Sequence, residues 1–383
     1  MASPFANILK TFRSALGGGA GGSVIGIDIG ASSAKIVQLR PSKGAAILET
    51  YGEIALGPYG GVAIGKAVKL TPEKTAEALL SLMHEANVTS KRGGISIPFA
   101  SSLVTILEMP KTDPEQLKRM VPIEARKYIP VPASEVTLDW FAIPQEERED
   151  AFDRVEPNSI SPVRGQEILL AAIYNDTTSN YQAIASNAGL SIGFYEIEVF
   201  SAVRSSLGRG VAPVLVVDIG ASTSKVYVVE RGVVRLSHLL PAGGQQMTEV
   251  LARSMNWEFE QAERMKRESG LLESKTYGPA ESARVREALL STLGRVFSEA
   301  NRVLLSYGKR YNKNVSLVVL TGGGASLPGL LAEAKQAFGV EVQIADPFAK
   351  TESPAFLGDV LHEIGPSFSV ALGLALRDLK RDA

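Results

Sequence analysis

Two aspartates, Asp28 and Asp218, stand in segments that are nearly the same, VIGIDIGASSAKIVQL at 24–39 and LVVDIGASTSKVYVV at 215–229. Each opens an Asp-Ile-Gly-Ala-Ser run and is followed seven positions on by a lysine, Lys35 or Lys225. A strand that ends this way sends a carboxylate and several backbone N–H groups out of one sheet end. Gly30 and Gly220 let the chain turn close to a ligand. Successive N–H groups in such turns make concavities that hold phosphate oxygens. Ser32, Ser33, Ser222 and Thr223 add hydroxyl donors. Asp28 and Asp218 suit Mg²⁺, which keeps most of its waters and takes few protein carboxylates. One such segment is a common strand-to-turn pattern. Two copies facing one another would clamp a polyphosphate from both sides, which is far more specific.

Two further stretches carry possible ligand contacts. VVLTGGGASLPGL, residues 318–330, brings three glycines after an apolar strand, which suits either a tight turn or close approach to something flat. In QAERMKRESG, residues 261–270, Glu263 and Lys266 are three apart and share a helix face, as a solvated ion pair or as ligand contacts. GGVAIGKA, residues 60–67, imitates a phosphate-binding P-loop, but it is one residue short and has Ala67 where the metal-binding hydroxyl belongs. It reads as a surface loop.

The elements around the two repeats also match. Short β-branched runs predict strands over 24–29, 35–39 and 46–50, and again over 214–219, 225–230 and 233–239, with Arg231-Gly232 as a turn. Helical periodicity follows each triplet, over 72–87 and 245–255. Thr71 is placed to cap the first of these, ahead of Pro72 and Glu73. A duplication of this length predicts two similar α/β domains facing one another rather than a solenoid. Residues of about 100–175 interrupt the symmetry with a helix at 114–128 and strands at 136–143 and 167–174. Pro122 predicts a kink or restart in that helix. A polar, acidic connection at 144–167 joins the two strands. A second insertion, about 246–315, is mainly helical.

At 383 residues the chain exceeds one compact domain, and 45% hydrophobic with 21% charged residues fits a folded protein. A net charge of -1 argues against a broad nucleic-acid surface. The chain has no cysteine, which removes disulfides and thiolate metal sites and fits a reducing compartment. Its three histidines, His84, His238 and His362, are too scattered for a histidine-rich metal site. No continuous apolar run is long enough to span a bilayer. Phe5, Ile8, Leu9, Phe12 and Leu16 fall on one helical face before the tether GGGAGG, as a frayed terminus or as a helix that docks on a membrane surface or a partner.

Together GIDIGASSAK, VVDIGASTSK and LTGGGASLPG resemble the two phosphate loops and the adenosine loop of the actin-like ATPases. YEIEVFSAVRSS at 195–206 and SFSVALGLALR at 367–377 resemble their two interdomain helices, with Ala371, Gly373 and Ala375 allowing close approach. EARKYIPVPASEVTLDW at 124–140 is similar to the segment that marks the PilM family of type IV pilus assembly, a relative of the FtsA family. The chain stops at RDLKRDA, where FtsA proteins usually continue into a membrane helix, and this favours PilM. The long acidic loop departs from the family pattern.

The resemblance implies an actin-like (ribonuclease H-like) duplicated α/β fold with a small inserted subdomain of the FtsA/PilM type. It divides the chain into a tail at 1–22, a first half at 23–99 and 176–210, the insert at 100–175, a second half at 211–245 and 316–365 with a helical subdomain at 246–315, and a closing helix at 366–383. It implies ATP and Mg²⁺ as ligands, with Asp28 and Asp218 orienting the hydrated metal. Gly30, Ala31, Ser32, Ser33 and Lys35 would hold phosphates from one side, and Gly220, Ala221, Ser222 and Thr223 from the other, with Gly243 and Gly244 beside them. Glu263 and Lys266 would contact the ribose, and Gly322, Gly323 and Gly324 would face the base. Glu198 matches a position that can orient an attacking water, in an ATPase expected to be slow. The implied setting is cytoplasmic, peripheral at the inner membrane, bound to the cytoplasmic peptide of a PilN-like membrane protein. Other pilus platform proteins and the assembly ATPases extend the partner set, a homo-oligomer stays open, and no nucleic acid is expected. An FtsA-like filament protein, a sugar or acid kinase, and a scaffold without nucleotide are the alternatives. The kinase lacks a convincing substrate carboxylate.

The glycine tether makes the tail dispensable: a chain starting at Ser23 should melt within a degree or two of the full chain in calorimetry. A large loss would show that Phe5, Leu9 and Phe12 pack into the body.

Overall fold

The structure is a computed structural model that describes residues 22–42, 44–144, 165–274 and 276–379. The amphipathic tail at 1–16 and most of the acidic loop at 144–167 therefore fall outside the described residues. Strands β1 (Val24–Ile29), β2 (Ser33–Ser42) and β3 (Ala45–Ala55) form an antiparallel meander, which β4 (Arg92–Ile97) and β8 (Ser191–Ile197) extend in parallel, in the order β3-β2-β1-β4-β8. Strands β9 (Val214–Ile219), β10 (Ser224–Glu230), β11 (Val233–Leu240), β12 (Leu317–Thr321) and β13 (Glu341–Ile344) repeat the same pattern, in the order β11-β10-β9-β12-β13. The duplication seen in two short motifs thus extends over two whole sheets.

Alternation along the strands decides what each sheet covers. On β1, Ile25 and Ile27 join the core under α1 (Pro72–Glu85), with Leu79 and Leu82, while Val24 joins a second cluster with Ala371 and Ala375. On β9, Leu215, Val217 and Ile219 face the helical side with Leu251 and Leu289, from α5 (Gly244–Met255) and α7 (Pro279–Tyr311), while Val216 faces the first half. Thr71 caps α1, accepting from the Lys74 N–H at 3.4 Å. Helix α6 (Phe259–Glu268) completes the helical subdomain.

The insert is a three-stranded antiparallel sheet in the order β5-β7-β6, from β5 (Ser102–Met109), β6 (Val136–Ala142) and β7 (Gln166–Tyr174). Helix α2 (Pro114–Ala125) covers one face through Leu117, Val121 and Ala125. The other face packs into the main core beside Val229, Val233 and Val234. Helix α2 carries Pro122 internally without a restart, and it ends three residues before Tyr128. Its continuation tightens into turns in which the N–H groups of Arg126, Lys127 and Tyr128 reach back only three residues.

Helix α3 (Asn175–Asn187) leads back to the first sheet, and α4 (Glu198–Ser206) follows β8. Helix α8 (Leu330–Phe338) joins β12 to β13, and a short α9 (Gly358–Ile364) precedes α10 (Ser369–Leu379). Helix α10 lies between β1 and α4 at backbone contact. A Cβ on Gly26 would sit 1.9 Å from the Ala371 carbonyl oxygen, and one on Gly373 would sit 2.0 Å from that of Ser201. Beside this contact Glu196, fully buried on β8, accepts hydrogen bonds from Arg204 of α4 at 2.7 Å and from Arg377 of α10 at 2.6 Å. Burial works against its charge, but the two guanidinium groups hold the carboxyl down at about 2.

Two glycines predict opposite outcomes. Gly26→Ala must push α10 off β1, at a cost of about 2 kcal/mol or more. Gly294→Ala, inside α7 with open space around its Cβ, should stabilise by about 0.5–1 kcal/mol. Urea midpoints of the two variants check both signs.

Candidate functional site

In each half, a tight turn lays the lysine of the repeat directly across from its aspartate. Gly30 N–H donates to the Ser33 carbonyl at 2.9 Å, and Gly220 N–H to the Thr223 carbonyl at 3.0 Å. The resulting registers pair Asp28 with Lys35 and Asp218 with Lys225. Directly opposed residues on an antiparallel pair share one face, which accounts for the seven-residue spacing. The two turns face one another across a cavity of about 990 Å³ between the halves. Asp28, residues 30–33, Lys35, Glu198, Asp218, residues 220–223, Gly244, Glu263, Lys266 and residues 322–324 all line it.

The copies then diverge, because the third strand of each meander puts a different residue beside the lysine. On β3 it is Glu53, on β11 Leu239. Lys35 accordingly turns to Glu53 at 3.0 Å and donates to the Ser33 hydroxyl at 2.7 Å. Lys225 finds no carboxylate on β11. It stays with Asp218 at 2.9 Å and reaches across the cavity to Glu198, the first residue of α4, at 2.6 Å. Burial alone would lower the Lys225 ammonium, but Asp218 and Glu198 outweigh it and hold the group firmly charged.

Asp28 has no such partner. Its Oδ1 accepts from the Ser96 hydroxyl of β4 at 2.7 Å, and no cation among the described residues forms an ion pair with it. Burial pushes its carboxyl up to about 6, and the Glu198 charge adds to this. Lys35 and Ser96 pull back only in part. Tyr181 of α3, another cavity residue, is likewise raised by burial and by the charges of Asp28 and Glu198. A half-buried carboxylate without a counter-cation, next to rows of turn N–H groups, fits a hydrated divalent cation carrying phosphates. When bound, Mg²⁺ would neutralise phosphate charge there.

The remaining predicted contacts sort differently. Glu263 and Lys266 are buried rather than solvated, paired at 2.6 Å. Glu263 also accepts from Thr248 at 2.5 Å and from Arg267 at 2.6 Å, and Lys266 donates to the Gly244 carbonyl at 3.0 Å. Gly243 is not a cavity residue: it packs behind the second turn, where a Cβ would meet the Ala221 carbonyl oxygen at 2.6 Å. Gly322, at φ +81°, lies against Asp218, and a Cβ there would sit 2.3 Å from the carboxylate. Gly324 packs as closely on Ile219, so of the three glycines only Gly323 stands open. The segment at 60–67 is a loop, but not a free surface one. Gly65 rests on Glu263, the Ala67 N–H donates to Gln245 of α5 at 2.6 Å, and Lys66 sits 4.7 Å over the Phe259 ring of α6. This strap ties the first half to the second. Sequence reasoning missed Ser96, Tyr181, Thr248 and Glu53. None of the four left a local signal: even Glu53 falls opposite Lys35 only through the register shift between Gln38 and Leu39.

Twin five-stranded sheets with facing Asp-Ile-Gly turns, a glycine loop after β12 and two crossing helices define the actin-like ATPase class. Within it the chain belongs to the family of type IV pilus assembly protein PilM, whose model it matches over residues 26–379. A solved PilM-PilN type IV pilus biogenesis complex superposes with a TM-score of 0.74 at 24% identity, covering 93% of this chain and 98% of that one. MreB5 of Spiroplasma citri bound to AMPPNP gives 0.54 at 11% identity, covering 94% and 97%. Cell division protein FtsA of Pseudomonas aeruginosa is 23% identical over 95% of this chain and 91% of its own length.

A folded-state carboxyl raised from 3.8 to about 6 binds its proton more tightly in the fold than in the unfolded chain. Ionised Asp28 therefore costs stability, a cost that grows as pH rises between those values and is complete above about 6. In EDTA without nucleotide, Asp28→Asn should raise stability at pH 7.5 by up to about 3 kcal/mol, with the gain shrinking to nothing near pH 4. Urea titrations across this range check it. A gain that does not depend on pH would contradict it.

Proposed function

We propose that the protein binds Mg-ATP between its two halves and serves in type IV pilus assembly as a cytoplasmic component of the inner-membrane platform. The observation that carries the nucleotide part is the pairing of two N–H-rich turns around an uncompensated carboxylate, Asp28, inside one cavity. Membership in the PilM family supports the pilus part. Residues 30–33 and 220–223 receive phosphate oxygens through backbone N–H groups and hydroxyls. Lys35 and Lys225 supply positive charge beside them. Asp28 holds the metal hydrate, with Asp218 as the more distant acceptor because Lys225 already occupies it. Gly323 and the Glu263–Lys266 pair border the nucleoside end.

The partner in this proposal is the cytoplasmic peptide of a PilN-like membrane protein, docked on the inserted subdomain of about 100–175. The PilM-PilN complex of similar fold supports a PilN-like partner. No helix among the described residues is long and apolar enough to cross a membrane, so attachment through a protein is consistent with the chain.

Calorimetry should show saturable Mg-ATP binding. Asp28→Ala should weaken it by about tenfold or more, and by more than Asp218→Ala, since only Asp28 lacks a cation of its own. Unchanged affinity in both variants would overturn the nucleotide reading. Separately, a synthetic PilN-type cytoplasmic peptide should bind the full chain, while anionic liposomes should not float it. Flotation without peptide binding would favour an FtsA-like role.

A further inference from the structure

Both oxygens of Glu198 are taken. Oε1 accepts the Phe99 backbone N–H at 2.7 Å, and Oε2 accepts the Lys225 ammonium at 2.6 Å. Glu198 lines the cavity and, by the resemblance above, matches a position that can orient an attacking water, yet a water arriving there competes with an ammonium and a fixed amide. Lys225 is itself locked, since Asp218 holds it at 2.9 Å and its side chain is only 8% exposed. The strand pairing leaves it no alternative carboxylate, because Leu239 stands beside it where Glu53 stands beside Lys35.

We propose that Lys225 is a restraining residue: by occupying Glu198 across the cavity it keeps bound ATP from being hydrolysed, so that the nucleotide acts as a retained clamp between the halves rather than as fuel. This rests on the nucleotide reading above. In the withheld step, a water oxygen forms a bond to the γ-phosphorus while the bond from that phosphorus to the β–γ bridging oxygen breaks. The electron pair leaves on ADP, and the water proton passes to a Glu198 oxygen. Lys225 blocks the last transfer by holding that oxygen, and it draws Glu198 toward Asp218 rather than toward water. The same bridge ties α4 to β10, so it fixes the two halves together at the point where the phosphates would lie.

The experiment compares wild type, Lys225→Gln and Lys225→Met for Mg-ATP affinity by calorimetry and for single-turnover hydrolysis of pre-bound ATP. In wild type, bound ATP should stay intact over many hours. In the variants hydrolysis should rise by roughly tenfold or more, part of the 10²–10⁴-fold a positioned general base contributes. The rise should vanish in Lys225→Gln/Glu198→Gln. A ligand-free readout accompanies these: in EDTA, Lys225→Gln should melt below wild type, because Asp218 and Glu198 are left without their cation, and Lys225→Gln/Asp218→Asn should recover part of the loss. Fast turnover by wild type would overturn the proposal even if no variant folds. Folded variants that bind Mg-ATP but hydrolyse no faster would overturn it as well, while leaving nucleotide binding in place. Failure of wild type to bind Mg-ATP at all would overturn the nucleotide reading and the restraint together.

Discussion

Backbone contact between α10 and its neighbours is the constraint from which the rest of the molecule follows. Only glycine at 26 and 373 permits it, since any Cβ would overlap a carbonyl oxygen of Ala371 or Ser201. With α10 pressed into that slot, Arg377 reaches Glu196, Arg204 reaches both Glu196 and the Gly373 carbonyl, and α4 is fixed against β8. Glu198 begins α4, so the same packing delivers its carboxylate to the cavity. A buried carboxylate held by two guanidinium groups is costly to break by removing one member, which makes this corner a firm base for two halves that meet around a cavity.

The pseudo-symmetry of the sheets makes the asymmetry of the site informative. The same turn and the same register set Asp28 against Lys35 and Asp218 against Lys225. A single cross-strand neighbour then splits the copies: Glu53 draws Lys35 away and leaves Asp28 uncompensated, while Leu239 leaves Lys225 to Asp218 and Glu198. One jaw thereby keeps a carboxylate bonded only to the Ser96 hydroxyl, and the other already holds a lysine ammonium. The strap at 57–68 adds a second tie between the halves, because it bonds to Ala31 of the first turn and to Gln245 beside the second.

Much of this was legible in the chain because it depends on local pattern. The strands of both meanders, the capped start of α1 and the positions of the two turns follow from β-branched runs and turn residues that lie side by side in sequence. What depends on tertiary register was not. The unlike fates of Lys35 and Lys225 require knowing which residue of the third strand falls opposite, and a register shift between Gln38 and Leu39 sets that on β2–β3. Gly322 and Gly324 line the cavity, but the reason they must be glycine is tertiary: β9 runs beneath them, and a Cβ would overlap Asp218 or Ile219. The Glu196 cluster joins residues from β8, α4 and α10, the last 181 positions away, so no window of sequence could display it.

The most direct measurement is a crystal structure of the full chain with Mg²⁺ and a non-hydrolysable ATP analogue. The account predicts phosphates between residues 30–33 and 220–223, a metal hydrate nearer Asp28 than Asp218, and Lys225 still bonded to Glu198. A nucleotide bound elsewhere, or a cavity that stays empty at saturating analogue, would contradict it.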